Sequence, residues 1–510
     1  MITAGHYATL FSRALNGVQA PQVEVEVHAT NGLPGLSVVG LPETSVKESK
    51  DRVRSAVISS GFEMAPKRIT INLAPADIPK QGGRYDLAIA LGVLVATGQL
   101  PLQRDLNEIE WLGELSLNGE LRAVPGVLPA VIQAKQAGRT LIVPLANLAE
   151  AGLVEGASVL GADNLLSVCR FLTDTTFELA LPERVAYQPQ PVSQDLADIR
   201  GQHQAKRVLE VCASGGHSLL MIGPPGSGKS MLASRLVSLM PDLPLEQAIE
   251  VASIHSVAGK SIDVARFCQR QLIQPHHTAT AAAMVGGGSG GHPKPGAVSL
   301  AHRSVLFLDE LPEFNRAVLE ALREPLETGE VEIARVNQKV TYPAKVQLVC
   351  AMNPTPSGFF PDDPLGRCHD TPEQVHRYRQ KISGPLLDRI DCHLEVPPVD
   401  FAALSGAPEA DAETSAQVRA RVIECQNRQI HRQGCLNSHL SPKQLERQVE
   451  LDATSKQLLA QAMDRLGLSA RAYHRILRVA RTLADMTASA DVTVPHVAEA
   501  IAYRSLDKTR

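Results

Sequence analysis

Apolar and polar positions follow two different periods along this chain, and each period predicts a different element. Residues 23–28 (VEVEVH) alternate apolar with polar, as a strand does when one face meets a core and the other meets water. Residues 44–54 (TSVKESKDRVR) have the polarity of a surface helix, with Thr44 placed to cap its first turn. The apolar run from Leu87 to Ala96 follows Arg84 and Asp86, is too short to span a bilayer, and predicts a buried helix. Residues 218–222 (SLLMI), 305–308 (VLFL) and 346–352 (VQLVCAM) are short apolar runs of buried-strand type. From Asp198 to about residue 400 such strands alternate with helices and motif-bearing loops, which predicts an α/β unit with a doubly wound parallel sheet. Residues 414–510 are almost wholly helical in pattern, with Pro442 and Pro495 at helix starts.

Breaks in these patterns divide the chain. Residues 1–182 form a first α/β unit, and 183–197, with Pro189 and Pro191 amid Gln and Ser, read as a linker. The sheet-bearing unit then covers 198–404 and the helical unit 405–510, behind a soft boundary at 405–413. A length of 510 residues is too great for one core and agrees with two to four domains. With 50 basic and 54 acidic residues the net charge is -4, so any contact with DNA must come from a local basic surface rather than from the field of the whole chain. Eight scattered cysteines without paired spacing point to a reducing cytoplasm. The first residues lack a basic segment followed by an apolar one, so neither a secretory leader nor a membrane association is expected.

The chemistry concentrates in residues 223–230 (GPPGSGKS), placed between a predicted strand and a predicted helix. Gly223, Pro224, Pro225, Gly226, Ser227 and Gly228 form a loop whose N–H groups can curl around phosphates at a helix N-terminus. Lys229 then reaches the β- and γ-phosphates of ATP, and the Ser230 hydroxyl ligates Mg²⁺. Asp309 and Glu310 end the 305–308 strand at the same sheet edge, Asp309 to hold Mg²⁺ and Glu310 to orient and polarise the attacking water. Asn353 ends the 346–352 strand, where it either contacts the γ-phosphate or opens an Asn-Pro turn. Arg389, in 384–391 (GPLLDRID), either reaches a neighbouring subunit's γ-phosphate or forms a surface ion pair with Asp388 or Asp391.

The order of these segments resembles an AAA+ ATPase of the magnesium-chelatase and replicative-helicase branch, most closely the ComM (YifB) family. The resemblance covers essentially the whole chain through residues 32–43 (GLPGLSVVGLPE), 198–202 (DIRGQ), 223–230, 305–314 (VLFLDELPEF), 383–391 (SGPLLDRID) and 469–472 (SARA). It implies that Asn353 is a first sensor, Arg389 a trans-acting finger and Arg471 a second sensor, with Arg475, Arg478 and Arg481 solvated or structural. It implies that the protomers form a hexameric ring acting on single-stranded and branched DNA as a helicase for branch migration in natural transformation.

The first unit resembles the proteolytic domain of Lon, which uses a Ser-Lys pair. Arg84 stands at the position of the Lon serine, and Leu128 or Pro129 at that of the lysine, so no peptide hydrolysis is expected. Residues 284–294 are glycine-dense and read as a mobile loop ending at Lys294, and 331–341 alternate like a hairpin turning near Asn337. In the motors this chain resembles both project into a channel, where Lys294, Arg335 and Lys339 would meet DNA phosphates; otherwise the hairpin charges only keep its edge soluble. Only Cys368 and His369, with His376 more distant, stand where relatives carry a zinc insertion, while Cys350 and Cys392 fall in apolar strands, so no zinc is expected. An ATP-driven remodeller of magnesium-chelatase type, or a nucleotide-dependent assembly module, are the alternative functions.

Overall fold

The computed structural model describes residues 6–40, 43, 46, 48–183, 187, 194–288, 293–335, 338–398 and 412–504. In the first unit the strands are β1 (Tyr7–Arg13), β2 (Gln22–Thr30), β3 (Gly35–Val39), β4 (Arg68–Ala74), β5 (Ile109–Trp111), β6 (Glu114–Leu115), β7 (Leu121–Arg122), β8 (Thr140–Pro144) and β9 (Val159–Ala162). Seven of them make one mixed sheet in the order β3-β4-β2-β1-β5-β8-β9, and β6 and β7 pair as a ribbon. The helix Asp86–Ala96 is buried along almost its whole length against this sheet. Gly92 lets it close on the strands, because a Cβ there would stand 2.5 Å from Val27 Cγ2. Of the expected helix at 44–54, the described part continues as the helix Ser49–Ser59, which buries Val53, Ala56 and Val57. Thr44 lies outside the described residues.

The second unit contains β10 (Leu219–Ile222), β11 (Leu272–Ile273), β12 (Gly286–Gly287), β13 (Lys294–Pro295), β14 (Val305–Leu308), β15 (Glu330–Arg335), β16 (Gln338–Pro343), β17 (Gln347–Met352) and β18 (Cys392–Glu395). Five strands form a sheet in the order β11-β14-β17-β10-β18, every neighbouring pair parallel. The continuous apolar runs follow from a core on each face. Leu219, Met221, Val305, Phe307, Val349 and Ala351 enter one core, while Leu220, Ile222, Leu306, Leu308, Leu348 and Cys350 enter the other. The order also sets β10 between β17 and β18, with β14 one strand further, so the loops after β10, β14 and β17 share one carboxyl edge.

The last unit is built from helices Ser415–Gln433, Pro442–Gln448, Ala453–Leu466, Ala470–Met486 and Val494–Ala502. Thr414, Ser441, Asp452 and Ser469 cap four of them by accepting a backbone N–H, and Pro442 takes the first helical position. Ile476, Leu477, Val479, Ala480 and Leu483 join the core that lies under β10.

The first two units share apolar contacts. Val127, Leu128 and Val131 cluster with Leu243, Ala248, Val251 and Phe267. The Gly126 and Leu128 N–H groups donate to the Ser256 carbonyl and hydroxyl at 2.9 and 3.4 Å. Tyr187 donates to Asp242 at 2.6 Å and meets the Phe267 ring edge-on. Residues 184–186 and 188–193 of the expected linker, and 405–411 of the later boundary, lie outside the described residues. Among the described residues no helix is long and apolar enough to cross a membrane.

Candidate nucleotide site

The loop after β10 is shaped by its glycines. A Cβ at Gly223 would lie 2.2 Å from the Val396 carbonyl oxygen, and Gly226 and Gly228 have φ of 77° and 87°. The loop feeds the helix Lys229–Leu239, whose first N–H groups have no partner within the helix. Lys229 is buried and donates to the carbonyls of Gly223 (2.7 Å) and Pro224 (3.0 Å) and to Asn353 Oδ1 (3.3 Å). Burial pushes its ammonium below the ordinary lysine range, opposed by the negative charges of Asp309 and Glu310. Ser230 donates to Asp309 Oδ2 at 2.8 Å. Four residues from three separate segments therefore converge at one sheet edge as the sequence spacing requires.

This donor set fits a Mg²⁺–triphosphate. Ser230 and Asp309 offer two oxygens side by side, the combination a hard cation takes, and the ammonium of Lys229 rests on its own loop without a carboxylate. The Ser227 hydroxyl is buried and without a hydrogen-bond partner, an unspent polar group inside the cradle.

Glu310 adopts φ 53°, an unusual backbone for a residue with a side chain, and its exposed carboxylate lies 3.0 Å from His277 Nδ1. His277 stacks on His276 with ring centroids 4.2 Å apart. Nothing in motif spacing marked His277, because its partner is far away in sequence and reached only through the fold. Arg389 is paired with neither Asp388 nor Asp391. Its guanidinium forms an ion pair with Glu327 and donates to the Pro385 carbonyl at 2.7 Å. Asp391 instead receives Arg475, the Ser218 N–H and hydroxyl at 2.9 and 3.0 Å, and His217 at 3.7 Å. Burial alone would raise Asp391, but Arg475, His217 and the Ser218 N–H outweigh it and hold the carboxyl well below its usual range. Arg478 donates to the Leu440 carbonyl and Arg481 pairs with Asp485 at 2.9 Å, so both are structural. Arg471 is exposed on the first turn of its helix, and among the described residues it makes no ion pair.

The glycine-dense segment is more ordered at its root than a mobile loop. Met284 is fully buried in the helix Ala281–Val285, and Gly287 pairs with Lys294 between β12 and β13. Gly286, with φ 110°, comes so near β15 that a Cβ would stand 2.6 Å from Ile333 Cδ1, which explains the glycine there. Residues 289–292 lie outside the described residues. β15 and β16 form the expected antiparallel hairpin, with Arg335 paired to Gln338, but the Arg335 side chain and Asn337 lie outside what is described. Lys294 is exposed, whereas Lys339 is 2.8 Å from Glu332 on the facing strand. A basic cleft of about 410 Å³ escaped the sequence reading; Arg316, Arg377 and Lys381 line it, and among the described residues only Lys381 forms an ion pair, with Glu313 at 3.2 Å. The alternating cations of residues 377–381 (RYRQK) were its available signal.

Elsewhere, Cys350 and Cys392 are buried in β17 and β18, and Cys368 lies 3.9 Å from Thr355 Oγ1 and Asp370 Oδ2. Among the described residues no three His, Cys, Asp or Glu side chains are grouped to hold a metal ion. In the first unit Arg84 is buried and donates to the Pro125 carbonyl at 2.6 Å, beside the segment that carries Leu128 and Pro129.

Fold and site together define a P-loop unit of the AAA+, magnesium-chelatase type, set behind a Lon-like α/β unit. Family models described as subunit ChlI of magnesium chelatase match residues 195–404 and 25–147, and a model of its C-terminal part matches 412–504. The chain is 48% identical to the YifB protein of Escherichia coli (strain K12) over 98% of this chain and 97% of that one. It is 46% identical to competence protein ComM of Haemophilus influenzae, again over 98% and 97%. Lon protease 2 of Bacillus subtilis is 28% identical over 25% of each chain. The chain belongs to the YifB/ComM family of magnesium-chelatase-like proteins, and membership implies nucleotide and Mg²⁺ use.

Proposed function

We propose that this protein is an ATPase that assembles as a hexameric ring and drives DNA branch migration, integrating single-stranded DNA during natural transformation and recombination. The convergence of Lys229, Asn353, Ser230 and Asp309 at one sheet edge carries the ATPase half of this reading. Similarity to a competence protein over nearly the full length supports the DNA half. The eight free thiols suit a reducing cytoplasm.

In this reading Lys229 leaves its loop carbonyls for the β- and γ-phosphate oxygens, exchanging neutral acceptors for charged ones. Ser230 and Asp309 would hold Mg²⁺, which would supply positive charge against the phosphates. Glu310 swings from His277 toward a water and orients it for in-line attack, while Asn353 fixes the γ-phosphate end. Arg389 from one protomer and Arg471 complete the charge around the phosphates. Lys294, Arg335 and Lys339 meet DNA phosphates, each contact weak alone and multiplied around the ring.

A second reading, an ATP-driven protein or metal-insertion remodeller, is favoured by family models that all carry the magnesium-chelatase description. Measuring ATP hydrolysis with single-stranded, forked and duplex DNA separates the two. A DNA motor turns over faster on forked or single-stranded DNA and displaces a strand. An unchanged rate with no strand displaced would leave the remodeller standing.

A further inference from the structure

Arg389 has a fixed backbone and a side chain held by one carboxylate. Its carbonyl accepts the Ser218 hydroxyl at 3.0 Å, and two residues later Asp391 is locked by Ser218, His217 and Arg475. The side chain is only 8% exposed, and its Nε is buried with no hydrogen-bond partner. Its Nη1 bonds the nearby Pro385 carbonyl, and among the described residues its ionic partner is Glu327. A guanidinium in that state is not available to a neighbouring protomer's phosphate. To act there it must give up Glu327.

The place of Glu327 decides what can make it let go. It sits in the last turn of the helix Arg323–Thr328, immediately ahead of the root of the β15–β16 hairpin. That root is tied tightly to the helix end. Gly329 closes the helix in a left-handed conformation, and its carbonyl accepts the Ala344 N–H at 2.7 Å. The Thr328 hydroxyl donates to the Glu330 carbonyl at 3.0 Å and accepts the Glu330 N–H at 3.2 Å. A Cβ on Gly329 would press on the Lys345 side chain at 2.9 Å, which leaves the junction little slack. A shift of the hairpin is therefore passed within three residues to the carboxylate that holds Arg389.

We propose that Glu327 is a positioning residue that holds Arg389 withdrawn in the resting protomer, and that movement of the β15–β16 hairpin on a phosphodiester strand releases it. The carboxylate is 59% exposed, and an ion pair with one solvated member is weak enough to exchange for a phosphate. The coupling rests on the ATPase and DNA reading given above, and Glu327 touches neither nucleotide nor DNA.

The test uses the full-length protein with Glu327→Gln, Glu327→Asp, Arg389→Ala and the Glu327→Gln/Arg389→Ala double variant, each assayed for ATP hydrolysis with and without forked DNA. Glu327→Gln should raise the DNA-free rate roughly twofold to fivefold, the factor such a pair is worth, and leave the DNA-saturated rate within about 1.5-fold, so that stimulation shrinks. Glu327→Asp should keep both wild-type rates, and the double variant should be no faster than Arg389→Ala alone. An unchanged or lower DNA-free rate in Glu327→Gln, with stimulation intact, overturns the proposal. So does a double variant that keeps the elevated rate, since Glu327 would then act without Arg389. If DNA stimulates no form of the protein, the DNA reading fails, whereas a raised DNA-free rate in Glu327→Gln would still support the restraint.

Discussion

The phosphate loop and a loop of the Lon-like unit both bury a cation against backbone carbonyls, and they differ in what stands beside it. In the Lon-like unit Lys80 donates to the Pro75 carbonyl and Arg84 to the Pro125 carbonyl; both are buried, and among the described residues neither forms an ion pair, Asp77 acting on Lys80 only from a distance. In the phosphate loop Lys229 also rests on carbonyls, but Asp309 and Glu310 stand across the sheet edge and the exposed Ser230 joins Asp309. The lesson is that a sequestered cation by itself stabilises a loop. It becomes chemistry when acids and reachable space accompany it. Burial lowers Arg84 as it lowers Lys229, and only Lys229 has a hydroxyl–carboxylate pair beside it, Ser230 on Asp309.

The comparison breaks most sharply at the acids. Glu310→Gln should lower ATP turnover by a factor of about 10² to 10⁴, the contribution of a positioned general base, while nucleotide binding persists by fluorescence titration. If Glu310→Gln turned over at the wild-type rate, the phosphate loop would be as inert as the Lys80 loop. Arg389→Ala should cost about 10³ in turnover of the assembled protein. Mixing it with Lys229→Ala protomers should restore part of the rate, since each supplies what the other lacks. A mixture no faster than its components would place Arg389 outside any neighbour's site.

Stability sharpens the same contrast. Asp391→Asn leaves Arg475 facing a neutral amide in a buried setting, so it should destabilise the protein by about 3 kcal/mol in denaturant melts at pH 7. Asp391 has a depressed carboxyl, so its stabilisation is present above the unfolded value near pH 4 and fades as pH falls through the folded one. The gap between wild type and Asp391→Asn should therefore narrow below about pH 4. A gap constant down to pH 2 would mean the charge is not what matters. The smallest effect belongs to the Lon-like loop: Arg84→Ala orphans the Pro125 carbonyl, should cost about 1 to 2 kcal/mol in the same melts, and should leave ATP turnover of the folded protein within about twofold.

The parts legible in the sequence were those whose cause is local. β10, β14 and β17 read as apolar runs because each has a core on both faces, and the phosphate loop reads as glycines because Gly223, Gly226 and Gly228 need close approach or positive φ. The helix Ser49–Ser59 runs past the polar stretch that announced it, because Val53, Ala56 and Val57 supply a docking face that a surface period does not locate. His277 and Glu327 were invisible for another reason. Each meets its charged partner across a fold that separates them widely in sequence, and neither sits in a recurring spacing. Arg389 showed the limit most clearly, since its chain neighbours Asp388 and Asp391 were the obvious partners and neither is the one it uses.

The apolar seam formed by Val127, Leu128 and Val131 with Leu243, Ala248, Val251 and Phe267 has a practical corollary for anyone dissecting this molecule. Cutting at Asp198 to obtain the ATPase alone would bare a greasy flank on the helix Leu245–Val257 and strip Ser256 of the two N–H groups it receives. Such a fragment should clump rather than fold cleanly, unless that flank is first recoated with polar side chains.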